Sequence, residues 1–550
     1  MRGPEIREAF LRFFEAQNHH RLPSSSLIPT DPSVLATIAG MLQFKPVFQG
    51  IQAPVAPRVT TAQKCLRTND IDNVGFTPRH HTFFEMLGNF SFGDYFKKEA
   101  IAFAWEFITV VLKIPKERLW AAVFRDDDEA YEIWRNDIGL AAERIVRMDE
   151  DNNFWWSGAT GPCGPCSEIY YDLGPQHGDG DPSTNDRRYL EIWNLVFMQF
   201  EQHEDKSRTP LPKKSIDTGA GLERLAMVLQ GVESTYDTDL LKVFMDALRS
   251  WMKPAAERQK RNIPEHISLR IIADHVRAAT YFATDGVSPG NDGRGYVLRK
   301  IIRRAVRHGR LLGIDRPFLK DLFPLVVAQG KDAYPELVTQ QAKTLKLLNG
   351  EEEHFLRTLQ RGEEILGEHL ATSKHIDGAT AFLLYDTYGF PLELSSEIAK
   401  EAGASVDTET FTKLLDAQRS RSRNAAQDDG ENKLIPAGRK KGRGGEAFEP
   451  ETDDETRLIS YNHTSTHLLH AALRKHLGTH VKQAGSLVHM DYLRFDFNHY
   501  ESIPADVLKQ VEADVNQQIA AKKPMMFEQL ALKDALAQKL TSSMIRIWLF

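Results

Sequence analysis

Apolar and polar positions alternate in two different ways along the chain, which indicates a mixed first part and a mostly helical second part. Up to about Gly231, short apolar runs are separated by Gly/Pro turns. The spacing within these runs predicts strands at Ala121–Phe124 and Glu191–Phe200, and helices at Ile101–Leu112 and Leu222–Leu229. This mixture is typical of an α+β fold.

A helical period dominates from about Thr235 to Ala426. It predicts long helices at Leu269–Ala283, Tyr296–Leu312 and Gln341–Leu370. The period is then lost where a basic cluster is followed by an acidic one, and a third region starts near Leu458. A segment without a period and rich in charge is typical of a flexible linker.

These changes of pattern divide the chain into four segments. With 550 residues, the chain is longer than one hydrophobic core usually supports. We predict an α+β domain at residues 1–234, a mostly helical domain at 235–425, a linker at 426–456 and a short α+β region at 457–550.

Composition narrows the class of protein. A formal charge of −7 excludes a surface that is basic throughout, so a nucleic-acid partner would need a local patch. No apolar run is long enough to span a bilayer, and Cys65, Cys163 and Cys166 are too few for a disulfide framework. We expect a cytoplasmic protein with no membrane partner, and a mature organellar form stays open as the alternative.

A candidate nucleotide site begins where two glycines precede a predicted helix. Gly219 and Gly221 let the backbone approach a ligand closely, and the first N–H groups of the helix would face an anion. Arg224 follows in the first helical turn with a forked charge suited to phosphate oxygens. Taken alone, these residues fit a plain strand–turn–helix junction with a surface arginine equally well.

A second run places cations, aromatic rings and a carboxylate close together over Pro78–Gly93, downstream of Arg67. Within this run a cation precedes a phenylalanine at the same spacing twice. Together with the Gly-x-Gly-Leu-Glu-Arg stretch that ends at Arg224, the pattern resembles the second and third signatures of class II aminoacyl-tRNA synthetases.

Within that class, the chain most closely resembles the alanyl-tRNA synthetase family. The matching segments are Ala39–Met41, Arg79–Phe96, Thr160–Cys166 and Glu191–Asn194. The resemblance implies a class II antiparallel-sheet catalytic domain, a helical tRNA-recognition domain and a partial α+β editing domain. It also implies an ATP-dependent ligase that acts on alanine and tRNA(Ala), with Mg²⁺ accompanying ATP.

The resemblance also implies roles for particular residues. Arg67 would hold the α-phosphate, Arg224 the γ-phosphate and Asp217 the ammonium group of alanine, and we predict these three as the catalytic residues. The implied nucleotide-binding set is Arg67, Arg79, His80, Phe84, Glu85, Gly219, Gly221 and Arg224. The implied alanine-binding set is Met41, Trp155, Asn194, Val196, Asp217 and Gly219.

The stretch from Arg294 to Arg310 in the second domain carries a candidate tRNA patch, since it contains seven Lys and Arg residues and no acid. Arg299, Arg303 and Arg307 lie four apart on one helical face, which favours binding of RNA phosphate over a merely solvated face. The resemblance implies that Asn291 and Asp386 read the acceptor stem. Without it, Asn291 is typical of a turn residue.

The third region contains two imidazoles on one helical face, at His463 and His467, a spacing suited to one metal ion. The resemblance implies half of a zinc site in an editing domain, which Gln483 also matches. No cysteine follows Cys166, so we expect an incomplete zinc site and impaired editing of seryl- and glycyl-tRNA. The Gly-Pro pairs around Cys163 favour a rigid turn there rather than a metal or redox site.

Three alternatives remain beside the ligase. A catalytically reduced tRNA-binding paralogue need not retain Arg67, Asp217 and Arg224 together, so their presence favours the ligase. A free-standing editing hydrolase is disfavoured by the missing zinc ligands. A gene fragment also fits the sequence. Because the sequence lacks the carboxy-terminal dimerising region of the family, we expect a monomer.

Overall fold

The computed structural model describes residues 1–31, 34–158, 160–257, 263–428, 453–478, 481, 483–497, 499, 503–522, 526–527 and 546–547. The described residues form two compact units, one of residues 1–376 with 383–406, the other of residues 377–382 with those from 407 onward. Most of the predicted linker, residues 429–452, lies outside the described residues.

The first unit is built on a nine-stranded sheet. Its strands are β1 (His20–Arg21), β2 (Arg58–Leu66), β3 (Phe83–Ser91), β4 (Leu119–Phe124), β5 (Ile145–Met148), β6 (Phe154–Trp156), β7 (Gly161–Asp172), β8 (Tyr189–Gln202) and β9 (Arg208–Gly221). They lie in the order β1-β2-β3-β9-β8-β7-β4-β5, with β6 paired to β7. Every pair is antiparallel except β1–β2 and β4–β5, which confirms the predicted antiparallel sheet.

Helices surround this sheet and continue after it. In chain order they are α1 (Gly3–Ala16), α2 (Lys45–Phe48), α3 (Lys97–Glu106), α4 (Asp128–Glu132), α5 (Glu150–Asn153), α6 (Leu222–Gln230), α7 (Lys242–Trp251), α8 (Glu265–Thr284), α9 (Gly293–Leu311), α10 (Leu319–Gly330), α11 (Glu336–Thr339), α12 (Gln341–Thr372), α13 (Gly378–Asp386), α14 (Leu392–Glu401), α15 (Thr408–Asp428), α16 (Asp453–Leu477) and α17 (Ala505–Ala520). The helices predicted from periodicity are confirmed as α3, α6, α8, α9 and α12. Beyond α3, the helix continues as a π turn at Phe107–Val111.

The two faces of the sheet have different partners, as β8 shows. Trp193 is fully buried on the face covered by α1, where its ring centroid lies 5.3 Å from that of Phe10. The next residue, Asn194, belongs to the opposite face because successive side chains of a strand alternate. That opposite face lines a cavity.

The Gly-Pro-Cys-Gly-Pro-Cys segment corrects one prediction, because it forms the first half of β7 rather than a turn. Its register with β8 shifts between Cys163 and Cys166, which marks a bulge. Proline and glycine are tolerated in a strand at such irregularities. Both cysteines are buried and free, and burial raises the pKa of each thiol.

In the second unit, α16 and α17 pack beside a hairpin of β12 (Gln483–Val488) and β13 (Leu493–Phe497). Leu473, Val481 and Val511 are among the buried residues of its core. The short strands β10 (His375–Ile376) and β11 (Ser405–Val406) of the first unit pair in parallel, as do β14 (Met526–Phe527) and β15 (Arg546–Ile547).

Candidate active site

A cavity of about 360 Å³ opens on the face of the sheet formed by β3, β7, β8 and β9. The predicted residues that line it are Arg67, Arg79, His80, Phe84, Trp155, Asn194, Val196, Asp217, Gly219, Gly221 and Arg224. The lining residues that the sequence analysis did not select are Ala39, Asp70, His81, Met86, Glu168, Glu191 and Glu223. The structure therefore brings the two signature segments, which lie far apart in sequence, into one site.

Three arginines supply positive charge to the cavity, and Arg79 pairs with Asp186 at its edge. The Arg67 guanidinium lies 5.0 Å from the centre of the Phe84 ring, and its Nε donates to the carbonyl oxygen of Ile38 at 3.3 Å. Arg224 donates from Nη1 to the carboxylate and to the backbone oxygen of Glu191, both at 2.8 Å. These contacts hold the Arg67 and Arg224 side chains at the cavity wall, where they are placed for anionic oxygens.

The glycines of the nucleotide segment allow a close approach. A Cβ atom at Gly219 would lie 2.7 Å from Sδ of Met86, so a larger residue there would displace the cavity wall. Gly221 is the N-cap residue of α6, and Arg224 follows within the first turn of that helix. The free N–H groups and the positive end of the helix dipole therefore face the same cavity as the arginines.

Asp217 supplies a carboxyl group to the wall of the same cavity. The residue is only 6% exposed, and burial raises the pKa of its carboxyl group to about 7. Among the described residues no cation forms a salt bridge with it. A buried carboxylate without a partner is costly, so its place in the wall of a cavity points to a cationic ligand group.

Glu168, Asn194 and Tyr170 form a second polar group in the wall. Asn194 Nδ2 donates to Glu168 Oε1 at 3.0 Å, and the Tyr170 hydroxyl donates to Glu168 Oε2 at 2.5 Å. Burial, and then repulsion by Glu191, raise the pKa of Glu168 to about 8. Glu168 was missed because only the pairing of β7 with β8 sets it opposite Asn194.

Glu191 was missed for a related reason. It lies three residues before Asn194, and regular strand alternation would place the two side chains on opposite faces. A register shift between Ile169 and Tyr170 of β7 interrupts the alternation, so both residues line the cavity.

Two residues of the predicted sets, Met41 and Glu85, are not among the residues that line the cavity. Met41 is fully buried in a hydrophobic cluster with the lining residues Val196 and Trp155, and its role in alanine binding stays a prediction. Glu85 follows Phe84 on β3 and therefore faces the other side of the strand, where it accepts hydrogen bonds from Arg7 at 2.5 and 2.7 Å and from Tyr334 at 2.7 Å. Glu85 is a partner of buried side chains and does not reach the nucleotide side.

The predicted basic stripe on α9 is also corrected. Arg303 and Arg307 are 4% and 0% exposed, and carboxylates of neighbouring helices pair with them. Arg303 pairs with Glu351 of α12 at 2.6 Å, and Arg307 pairs with Glu401 of α14 at 2.6 Å. Their common face packs inside the unit, so these two arginines are not available to RNA phosphates.

The other predicted tRNA-binding residues keep some exposure. Arg299 is half-buried and contacts Glu351 and the side-chain oxygen of Asn291. Asn291 lies just before α9 and is exposed, as is Asp386 at the end of α13. The structure therefore leaves Asn291, Asp386 and part of Arg299 at the surface.

His463 and His467 lie one turn apart on α16, with their Nε2 atoms 3.3 Å apart. Burial lowers the pKa of both imidazoles, that of His467 to about 4. Within the part of the chain that the structure describes, no group of three or more His, Cys, Asp or Glu side chains could hold a metal. Gln483 begins β12 and donates to the Ser486 hydroxyl at 2.8 Å.

The antiparallel sheet and the charged cavity on it define the class of this protein. A family model described as tRNA synthetases class II (A) matches residues 5–473. The chain therefore belongs to the class II tRNA synthetases of this family.

The particular relatives within the class are alanine–tRNA ligases. The enzyme of Fervidobacterium nodosum is 43% identical over 96% of this chain and 72% of its own length. The enzyme of Thermotoga maritima is 44% identical over 97% of this chain and 73% of its own, and that of Idiomarina loihiensis is 42% identical over 97% and 72%. An apo histidyl-tRNA synthetase structure from S. aureus aligns over 42% of this chain and 67% of its own, with 11% identity and a TM-score of 0.27.

The alignment with the F. nodosum enzyme spans 629 positions, more than the 550 residues of this chain. That relative therefore has residues within the aligned span that this chain lacks. Among the described helices, none is long and apolar enough to cross a membrane.

Proposed function

We propose that this chain is an alanine–tRNA ligase, which forms alanyl-adenylate from alanine and ATP and transfers the alanyl group to tRNA(Ala). The main support for this proposal is that one cavity contains Arg67, Arg224 and the buried carboxyl group of Asp217. The cations suit a polyphosphate, and the carboxylate suits an ammonium group a short distance away.

In the first step, a carboxylate oxygen of alanine attacks the α-phosphorus of ATP, the bond to the bridging oxygen breaks, and pyrophosphate leaves. Arg67 neutralises charge at the α-phosphate and Arg224 binds the γ-phosphate, while Asp217 holds the alanine ammonium. In the second step, a terminal ribose hydroxyl of the tRNA attacks the alanyl carbonyl carbon and loses its proton to the departing phosphate group or to solvent, the bond from that carbon to the phosphate oxygen breaks, and AMP leaves. The protein acts mainly by positioning and electrostatics.

Mg²⁺ fits this cavity, because it binds through one or two carboxylates together with phosphate oxygens. Glu191 presents a partly exposed carboxylate beside Arg224, and we propose it as the protein ligand. When bound, the ion would neutralise charge on the phosphates.

The direct test is exchange of labelled pyrophosphate into ATP, with and without alanine. We expect alanine-dependent exchange by the wild-type protein and a loss of roughly 10²–10³-fold in Arg67→Ala, the scale of one charge-stabilising donor. A protein that binds tRNA(Ala) but shows no exchange would favour the tRNA-binding paralogue.

For tRNA, we propose recognition through the exposed residues Asn291 and Asp386, with Arg299 contacting phosphate. Short polar side chains can reach the base edges in the wide minor groove of an RNA stem. Arg303 and Arg307 are excluded from this surface by their burial.

We also propose that this polypeptide deacylates mischarged tRNA poorly. A pocket for one methyl group rejects glycine and serine weakly, because a missing methylene is worth only ~1–3 kcal/mol. His463 and His467 offer two of the four ligands that zinc requires. The test is hydrolysis of pre-formed seryl-tRNA(Ala), and a rate well above background that His463→Ala abolishes would overturn this proposal.

A further inference from the structure

The wall of the cavity contains a hydrogen-bonded chain that fixes the orientation of one amide. Glu168 of β7 and Asn194 of β8 are directly opposite each other in the strand register. Glu168 Oε1 accepts from Asn194 Nδ2 at 3.0 Å, while Glu168 Oε2 accepts from the Tyr170 hydroxyl at 2.5 Å. Glu168 is 7% exposed, so few alternative partners compete for its oxygens.

The other end of the amide is left without a partner. Among the described residues, no donor contacts Asn194 Oδ1, although this atom is buried. An unpaired buried acceptor costs free energy, and native proteins retain such a group when it has a further role. Asn194 lines the same cavity as Asp217.

We infer that Glu168, steadied by Tyr170, is a positioning residue that directs the carbonyl oxygen of Asn194 to the ammonium group of the amino acid. This inference rests on the proposed function. An Asn side chain can turn its oxygen and nitrogen ends through the same positions, and only its partners decide between them. The oxygen Oε1 of Glu168, which can accept as a carbonyl oxygen even when the carboxyl group is protonated, holds the NH₂ end, which leaves the carbonyl end for a donor.

The bond to Glu168 also polarises the amide. Because Nδ2 donates to a carboxyl group in a site of low dielectric, Asn194 Oδ1 becomes a better acceptor. Glu168 itself need not touch the substrate. Its effect should therefore appear in alanine binding and should depend on the presence of Asn194.

The test compares Glu168→Leu, which removes the acceptor at similar volume, with Glu168→Gln, which retains an acceptor oxygen. In pyrophosphate exchange, we expect Glu168→Leu to raise the KM for alanine roughly tenfold or more and to change the KM for ATP less than about twofold. Glu168→Gln should restore most of the loss. Equal losses in the two variants, or equal effects on both KM values, would overturn the inference.

A double-mutant cycle separates positioning through Asn194 from every other role of Glu168. In an Asn194→Ala background, Glu168→Leu should change the KM for alanine less than about twofold. A further loss as large as in the wild-type background would overturn the inference. If Glu168→Leu does not fold, Tyr170→Phe takes its place, with an expected loss of a few-fold that also vanishes in the Asn194→Ala background.

Calorimetric titration with alanine, which needs no turnover, distinguishes failure of the proposed function from failure of this inference alone. A wild-type protein that neither binds alanine nor exchanges pyrophosphate overturns the proposed function, and this inference with it. A wild-type protein that does both, with an unchanged Glu168→Leu variant, overturns the inference alone.

Discussion

At the scale of single residues, Asp217 shows that a cavity wall can hold a buried carboxyl group at a cost in stability. Burial raises the pKa of its carboxyl group from 3.8 to about 7. Between these values the folded protein binds more protons than the unfolded chain, so stability falls as the pH rises. One pKa unit corresponds to ~1.4 kcal/mol, which makes the full penalty at pH 8 a few kcal/mol.

We therefore expect Asp217→Asn to unfold at a higher temperature than the wild-type protein at pH 8, although it should lose at least ~100-fold in alanine-dependent exchange. The stabilisation should shrink as the pH is lowered from 7 towards 4, because the wild-type carboxyl group becomes neutral. Thermal unfolding across this pH range provides the measurement. A variant that is less stable at every pH would show that the carboxylate has a structural partner.

The raised pKa of the Asp217 carboxyl group also predicts that the use of alanine depends on pH. Only the ionised form of Asp217 pairs with an ammonium group, so kcat/KM for alanine should fall about tenfold per pH unit below pH 7. The KM for ATP should change less, and exchange assays at subsaturating alanine would measure both. A profile that stays flat down to pH 5 would contradict the assigned role of Asp217.

At the scale of elements, one part of α9 is buried inside the first unit and another part lies near the surface. Its face with Arg303 and Arg307 packs against acidic positions of α12 and α14, while its amino-terminal end remains near exposed Asn291. Position along α9 therefore decides whether a basic side chain pairs inside the unit or stays near the surface.

Substitution at two positions of α9 should separate the buried pairs from the proposed tRNA surface. Arg307→Glu would set two buried carboxylates together, and breaking such a pair costs ~3–5 kcal/mol, so we expect a clear fall in unfolding temperature. Arg299→Gln, at the half-buried end, leaves Glu351 paired with Arg303, so it should unfold nearly as the wild-type protein but bind tRNA less tightly, with a smaller salt dependence. If Arg307→Glu folds with normal stability but binds tRNA less tightly, Arg307 would be assigned to RNA phosphate binding after all.

The ends of α9 and α13 carry the proposed base-reading residues. Asn291→Ala and Asp386→Ala should reduce charging of tRNA(Ala) because each removes a side chain from the acceptor-stem contact. Pyrophosphate exchange needs no tRNA and should remain intact. If a variant lost as much pyrophosphate exchange as tRNA charging, the substituted residue would have a structural role and would not be specific to tRNA recognition.

At the scale of the whole first unit, buried polar contacts connect the helices with the cavity loops. Asp274 of α8 accepts from the backbone N–H of Thr82 and contacts His275. Arg304 of α9 lies 3.2 Å from His275, donates to the carbonyl oxygen of Ile71 and pairs with both oxygens of Glu397 on α14. The loops that hold Arg67 and Arg79 are thereby tied to three helices.

Replacement of Arg304 should therefore act on both stability and activation. Arg304→Met leaves Glu397 buried without its cation, so we expect a loss of ~3–5 kcal/mol and reduced exchange at temperatures where circular dichroism still shows a folded protein. Lys320→Ala, at an exposed position of α10, is the matched control and should change neither quantity. Normal exchange by a folded Arg304→Met variant would show that the loops hold their shape without it.

The sequence by itself determined the class of protein, the strands at β4 and β8, the long helices, and most of the cavity, including Arg67, Asp217 and Arg224. Periodicity and signature segments are local properties of the sequence. The chemistry of an arginine guanidinium or a carboxylate depends on residue type, so it too can be recognised from the sequence. Only the tertiary structure decided that Glu168 faces Asn194, that Arg303 and Arg307 are buried, and that the Gly-Pro-Cys segment is a strand. Strand register, bulges and the partner of a helix face depend on residues distant in sequence, and no local pattern contains them.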